Sequence, residues 1–465
     1  WGNCGFLGRK TQMAKEIPGM KLFCRLVLTG AGLFLIPCPN GATPPSDQKA
    51  EIDRRFDGNI AHEKKKPAPN RATDDGVTPE SKTPKIKNTY FIGWGTPPQI
   101  LPGSRTIGSA YRFLGASSDG LFAPDGQEGL KGFWGVLARG ARALAYDIPI
   151  GNFSKVWIHE TLGHGGYARE KGFPARYDFK WNWRNWNWSG TTTYNTDGLS
   201  AKEDPINMVS AGVMATQAAA LDTKRQILLS DNVHWSYWPF WFFNKANYSL
   251  YIWRMPSPNS AEFDPAAADG NDMAQYVSLQ EQINGRLPRQ TSEQLLWSAA
   301  WNAIDPMAVA AVSGYVLSHI GAGQSHSPNP MLNIGGQQFF AGTRATLTGD
   351  GPILHLDLYW RDPKNQMLAE VSGGMGFGGQ WQLGTGFYQI KIAKPLAVDV
   401  HGNLWNNSPS SDDGGFGGQL GGGASVNVAE DIFLHAGGGV KTKGELMGRA
   451  YGPGPYFDGG LVISH

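Results

Sequence analysis

From about residue 335 the chain adopts a period of two. Leu354, Leu356, Leu358 and Trp360 alternate with His355, Asp357 and Tyr359, and Leu396, Val398 and Val400 alternate with Ala397, Asp399 and His401. Alternation of this kind places successive side chains on opposite faces of a strand. Turn signals such as Gly349-Asp350-Gly351 and Asp362-Pro363-Lys364-Asn365 separate runs of about ten residues, the length a tilted strand needs to cross a bilayer. Residues 335–465 are therefore predicted to form an antiparallel β-barrel, with the leucines toward lipid and His355, Asp357 and Tyr359 inward. Lys441–Gly448 and Tyr456–His465 read as its closing hairpin. A water-soluble antiparallel β-domain satisfies the same alternation, because the pattern does not say which face meets lipid. The low charged fraction (17%), 62 glycines and 17 tryptophans suit a β-rich envelope protein with aromatic residues at the membrane interface.

The opposite end reads as a targeting region. Met20-Lys21 precedes an apolar run from Leu22 to Ile36 and small residues ending at Ala42, the pattern of a secretory signal. The expected start is Met20, and residues 1–42 are read as upstream extension plus signal peptide. All three cysteines (Cys4, Cys24, Cys38) fall there, so the processed chain would carry no disulfide, thiolate ligand or cysteine nucleophile. Removing residues 1–42 takes away five Lys or Arg and one acidic residue, leaving 36 basic against 38 acidic. That balance argues against nucleic acid as a partner. Residues 43–88, rich in proline and charge, bury too little apolar surface to offset chain entropy and are expected to be a linker.

Residues 89–334 read as a helical, mixed module. An apolar stretch from Gly132 to Ala145 leads into a motif helix. Tyr177 to Trp183 alternates aromatic with polar residues, as a strand does, and Arg184-Asn185 breaks its register. Ile206 to Leu229 is a largely apolar helix with small residues that call for a close neighbour. His234 to Trp253 is strongly aromatic and is expected at a membrane interface, and Ser292 to Ile320 is a helix interrupted at Asp305-Pro306. The bland reading of the tryptophans is one apolar sheet face, and a sugar-stacking platform is the alternative.

The chemistry lies in His159-Glu160-Thr161-Leu162-Gly163-His164. Two imidazoles that can bind zinc flank a carboxylate that can deprotonate water. The histidines are five residues apart, not the four of the common H-E-x-x-H, so on a regular α-helix they would diverge by roughly 140°. Both reach one metal only if the helix carries a local extra residue such as a π-bulge. Gly163 would ease that distortion. The hexapeptide resembles the H-E-L-L-G-H motif of the dipeptidyl peptidase III family of zinc peptidases. The resemblance implies that His159 and His164 ligate zinc and that Glu160 activates water.

A third ligand should come from an element packed on the motif helix. The Ile206–Leu229 helix offers Asp222, the better donor, and Gln217, a polar group in an apolar stretch that wants a buried reason. Glu203 and Asp204 lie at its start. His234 and His319 are further candidates, though lone histidines on such faces usually serve the core, and His355, His401 and His435 are expected on the barrel wall. Asp269-Gly270-Asn271-Asp272 reads as a turn and helix cap, with a calcium loop as the alternative.

These features together predict an α+β protein: a metallohydrolase-like module followed by a C-terminal antiparallel β-barrel. Its expected activity is zinc-dependent peptide hydrolysis at the bacterial outer membrane, with peptide substrate and membrane lipid as partners. The competing expectations are a periplasmic location, a non-catalytic transport or structural barrel, and a carbohydrate-binding protein.

Overall fold

The computed structural model describes residues 89–96, 100–119, 132–184, 187–194, 204–255, 271–406, 415–444, 447 and 452–464. The expected signal region, linker and all three cysteines lie outside the described residues. Residues Ile86–His465 form one compact unit.

That unit is mixed α+β and is built around a ten-stranded sheet. After β1 (Thr89–Thr96) come α1 (Ile100–Ser117) and a long helix. The long helix comprises α2 (Phe133–Arg142), a π-helical turn (Ala143–Asp147), α3 (Ile148–Trp157), a second π-helical segment (Ile158–His164) and α4 (Gly165–Glu170). A hairpin follows, β2 (Ala175–Asn182) and β3 (Asn187–Tyr194), then α5 (Asp204–Leu229), β4 (Asn232–His234), α6 (Tyr237–Trp253), α7 (Asp272–Asn284) and α8 (Pro288–Ala303). The break expected at Asp305-Pro306 separates α8 from α9 (Met307–Val312), which runs into a third π-helical segment (Ser313–Gly321).

The remaining strands are β5 (His326–Pro328), β6 (Leu332–Ile334), β7 (Gln337–Thr348), β8 (Gly351–Asp362), β9 (Met367–Gly376), β10 (Trp381–Ala393), β11 (Leu396–Asn406), β12 (Phe416–Ala429), β13 (Ile432–Lys441) and β14 (Gly454–Ser464). From β6 to β14 each strand pairs with its successor, and β1 then adds antiparallel to β14, with Thr89 opposite Ser464. The ladder ends on β1 and β6. The expected break near 335 is thus no break in packing, because a strand from the first module completes the sheet of the second.

One face of the sheet is apolar and exposed, and the other is polar and covered. On β8, Leu356 and Leu358 are 46% and 49% exposed, whereas His355, Asp357, Tyr359 and Arg361 are almost inaccessible. The same face is exposed and apolar at Val371, Leu383, Val400, Leu420, Leu434 and Phe457 on the following strands. The sheet faces therefore follow the alternation read from the sequence, with Leu354 and Trp360 only partly exposed. The inner face is polar and carries ion pairs. Arg344 bonds Asp357 at 3.0 Å and Ser372 at 2.8 Å, and Arg225 of α5 bonds Glu370. Each such pair offsets the cost of desolvating its charges. Helix α1 lies along β1, where the amide of Phe91 donates to Ser109 Oγ at 2.7 Å.

Much of the aromatic stretch His234–Trp253 is core, with Phe242 and Trp253 exposed. In and beside α6, Trp235, Trp238, Phe240, Trp241 and Tyr248 are essentially inaccessible; Trp238 and Trp241 pack with Ile227, Met307 and Tyr359, Phe240 with Tyr111 and Ile158, and Tyr248 with Met273 and Leu295. Aromatic content alone does not distinguish core from membrane interface, since both remove rings from water.

Candidate metal centre

The π-helical segment Ile158–His164 supplies what the spacing required. Its i to i+5 hydrogen bonds stack residues five apart on one face, so His159 and His164 converge. Their Nε2 atoms lie 3.2 Å apart. The third member is Asp272, whose Oδ2 is 2.8 Å from His159 Nε2 and 3.3 Å from His164 Nε2. These three donors form a potential metal-binding group, all within 4.8 Å of one another.

The donor chemistry fits a cation. His164 Nδ1 lies 2.7 Å from the carbonyl oxygen of Met208. A carbonyl only accepts, so Nδ1 carries the proton and Nε2 presents a lone pair. That lone pair faces a carboxylate oxygen and a second imidazole nitrogen, a set of atoms that one cation would bridge. For His159, the carboxamide of Asn247 lies 3.3 Å from Nδ1. Its amide nitrogen faces the ring and also donates to Thr216 Oγ1 at 3.2 Å. Tyr251 stacks on the His159 ring at 5.1 Å and 21°. In the absence of a metal, a proton takes the cation's part. Burial opposes charge on His164, but Asp272 and then Glu160 outweigh it and raise the imidazole to about 9. Burial likewise works against the Asp272 carboxylate, yet the two histidines hold it well below its usual range.

Glu160 stands beside this group. Its Oε1 is 4.0 Å from His159 Nε2, while Oε2 accepts from Thr192 Oγ1 of β3 at 2.7 Å. One carboxylate oxygen is thus anchored and the other faces the histidines. Both histidines and Glu160 are buried, and the Asp272 side chain is 17% exposed. Burial pushes the nearby Tyr194 hydroxyl up to about 12, with the negative charges of Asp272 and Glu160 adding to the shift.

The neighbour that α5 required is the motif helix itself, at backbone contact. A Cβ on Gly163 would lie 2.4 Å from Gly212 Cα, and one on Gly212 would lie 2.5 and 2.6 Å from the two Nε2 atoms. Gly163 therefore serves close approach more than helix distortion. This contact also explains why α5 supplies no ligand side chain. It meets the motif with Met208, Ala211 and Gly212, and there is no room for more.

Asp222 and Gln217 are accordingly corrected as ligands. They lie ~15 and ~7 Å further along α5 and point elsewhere. Asp222 bonds Arg105 at 2.8 Å and Gln226 at 2.6 Å, and Gln217 Nε2 donates to the Lys245 carbonyl at 3.0 Å. His234 bonds Asp119 at 2.7 Å, and His319 stacks on Trp235 at 4.4 Å, so both serve the core. Within Asp269-Gly270-Asn271-Asp272, read as a turn and helix cap, Asn271 caps α7 by accepting from the amides of Met273 and Ala274, while Asp269 and Gly270 lie outside the described residues. What the sequence did not reveal is that the residue after the cap is the carboxylate partner. Asp272 lies 108 residues beyond His164, and no spacing connects them. The tryptophan strand is half of the β2–β3 hairpin, and its aromatic face packs on Phe153 and Trp157.

No protein-family model matches this chain, and no curated protein is significantly similar to it in sequence.

Proposed function

We propose that the protein is a zinc-dependent hydrolase that cleaves peptide bonds and is seated in the outer membrane by its sheet. The observation that carries the catalytic reading is the convergence of two histidine Nε2 atoms and one carboxylate beside Glu160, whose Oε1 faces them. Two histidines and a carboxylate are a zinc hydrolase donor set that leaves a position open. Zinc held there would supply an acidified water and a Lewis acid for the scissile carbonyl. Glu160 takes the proton of the attacking water on Oε1 and returns it to the leaving amine, while Thr192 holds Oε2 so that the carboxylate does not rotate away. An extended peptide suits the site because β3, which carries Thr192, pairs only with β2 among the described residues and so has an unpaired edge beside Glu160. Such an edge can accept a substrate strand by main-chain hydrogen bonds.

The apolar exposed face of the sheet supports the membrane seat. Strands of 10 to 14 residues on β7–β13 with apolar exposed faces and polar inner faces have the length and facing of bilayer-spanning strands. Curling round α1 and α5 into a barrel would complete that arrangement. Among the described residues no single helix is long and apolar enough to cross a membrane, and α8 with the α9 segment passes that test only as a pair bent by 51°.

The test is metal content and peptide turnover of Glu160→Gln beside His159→Ala and His164→Ala. Glu160→Gln should retain one zinc per chain and lose ~10² to 10⁴ in rate, and the histidine variants should lose the zinc. Full zinc in a double histidine variant overturns the site. Turnover unchanged by Glu160→Gln overturns the mechanism.

A further inference from the structure

The first part of the long helix repeats the facing of the sheet, apolar outward and polar inward. Every exposed position between Phe133 and Ala145 is apolar, the largest being Phe133, Trp134, Leu137 and Leu144. Phe133 and Trp134 are 73% and 70% exposed. The charged residues of this stretch turn inward. Arg139 Nε donates to the Ile320 carbonyl at 2.9 Å, and Arg142 lies 4.3 Å over the Trp235 ring and 3.3 Å from Asp147. A helix on the surface of a water-soluble protein does the reverse, with its apolar stripe inward and its charges in solvent.

This face is continuous with that of the sheet. Arg142 Nη2 donates to the Gly115 carbonyl at 3.4 Å, which places α2 beside the end of α1 where Phe113 and Leu114 are exposed. The Phe113 ring meets Tyr90 at 5.8 Å. Tyr90 shares its face of β1 with the exposed Ile92 and Trp94.

We infer that α2 and the π-helical turn after it lie against lipid hydrocarbon, so that the membrane covers part of the helical module as well as the outer face of the sheet. This rests on the membrane seat proposed above. Lipid is the occupant that the chemistry selects: the face spans about 20 Å of helix, it carries no charge or hydrogen-bonding side chain at an exposed position, and it joins a sheet face of the same character. A soluble partner would meet a polar rim around an apolar centre, which this stretch lacks.

The experiment uses the full chain with Cys4, Cys24 and Cys38 replaced by serine and a single cysteine introduced by Leu137→Cys, Leu144→Cys, Leu356→Cys or Lys180→Cys. Each variant is labelled with an environment-sensitive fluorophore and reconstituted into phosphatidylcholine vesicles with or without doxyl-labelled chains. Labels at positions 137, 144 and 356 should lose most of their emission to the doxyl lipid, and the label at position 180 on the exposed hairpin should not. Quenching at 356 with none at 137 or 144 overturns this inference and leaves the sheet's membrane seat standing. No quenching at any of the three overturns both. The two helix positions are independent, so one variant that fails to reconstitute leaves the other to decide.

Discussion

Gly212→Ala tests the site without touching a ligand. The added methyl would lie 2.5 Å from His159 Nε2 and 2.6 Å from His164 Nε2, where ordinary contact begins near 3.4 Å. Each ring would have to retreat by roughly 1 Å, while a metal site tolerates only ~0.2 Å in its bond lengths. The His159 ring has little freedom to move, because Tyr251 stacks on it and Asn247 faces its far nitrogen. A misplacement of this size should weaken zinc binding and cost ~10²-fold in turnover, and overpacking should lower stability by ~1 to 3 kcal/mol. Competition with a chromophoric zinc chelator measures the affinity directly. Gly190→Ala is the contrasting variant. Its methyl would meet Glu160 Cγ at 2.5 Å and Val156 Cγ1 at 2.8 Å, so it should reduce turnover and leave zinc affinity unchanged. Wild-type zinc affinity in Gly212→Ala would refute the convergence of both imidazoles on the space above Gly212.

Three other outcomes follow from the same geometry. Asp272→Asn should weaken zinc binding at least ~10-fold, whereas Asp222→Asn should leave it unchanged and lower stability through Arg105, which a chelator titration beside a melting curve separates. Leu356→Arg should cost ~2 to 4 kcal/mol of assembly in a bilayer, read as loss of folded protein from the membrane fraction; equal folding with Arg there would place this face in water. Asp357→Arg is no neutral control for it, because Asp357 holds Arg344 and Ser372. Burial, against the attraction of Asp305, lowers Lys245 to about 7. The unfolded chain then binds the extra proton between about pH 7 and 10, so stability should rise with pH across that window by up to ~1.4 kcal/mol per unit. Lys245→Met should flatten that slope in denaturation measured at several pH values.

The sequence by itself determined what depends on neighbours along the chain. Alternation assigned Leu356 and Leu358 to one face and His355, Asp357 and Tyr359 to the other, because strand geometry is local. The five-residue spacing of His159 and His164 already demanded a π-helical segment if both were to act together, and Asp305-Pro306 marked the break between α8 and α9. The run Asp269–Asp272 read as a turn and helix cap for the same local reason. What only the tertiary structure decided depends on which elements meet. The carboxylate partner came from α7, 108 residues away, while the helix that touches the motif most closely contributed only a carbonyl and a glycine. At backbone contact distance a helix has no space for a ligand side chain. Most of the aromatic run around α6 became core and the large apolar side chains of Phe133–Ala145 became surface, because burial is set by the partners that packing supplies. The strand β1 joined β14 across nearly the whole described chain, a pairing written in no local pattern, since an edge accepts any strand whose register and faces match its own.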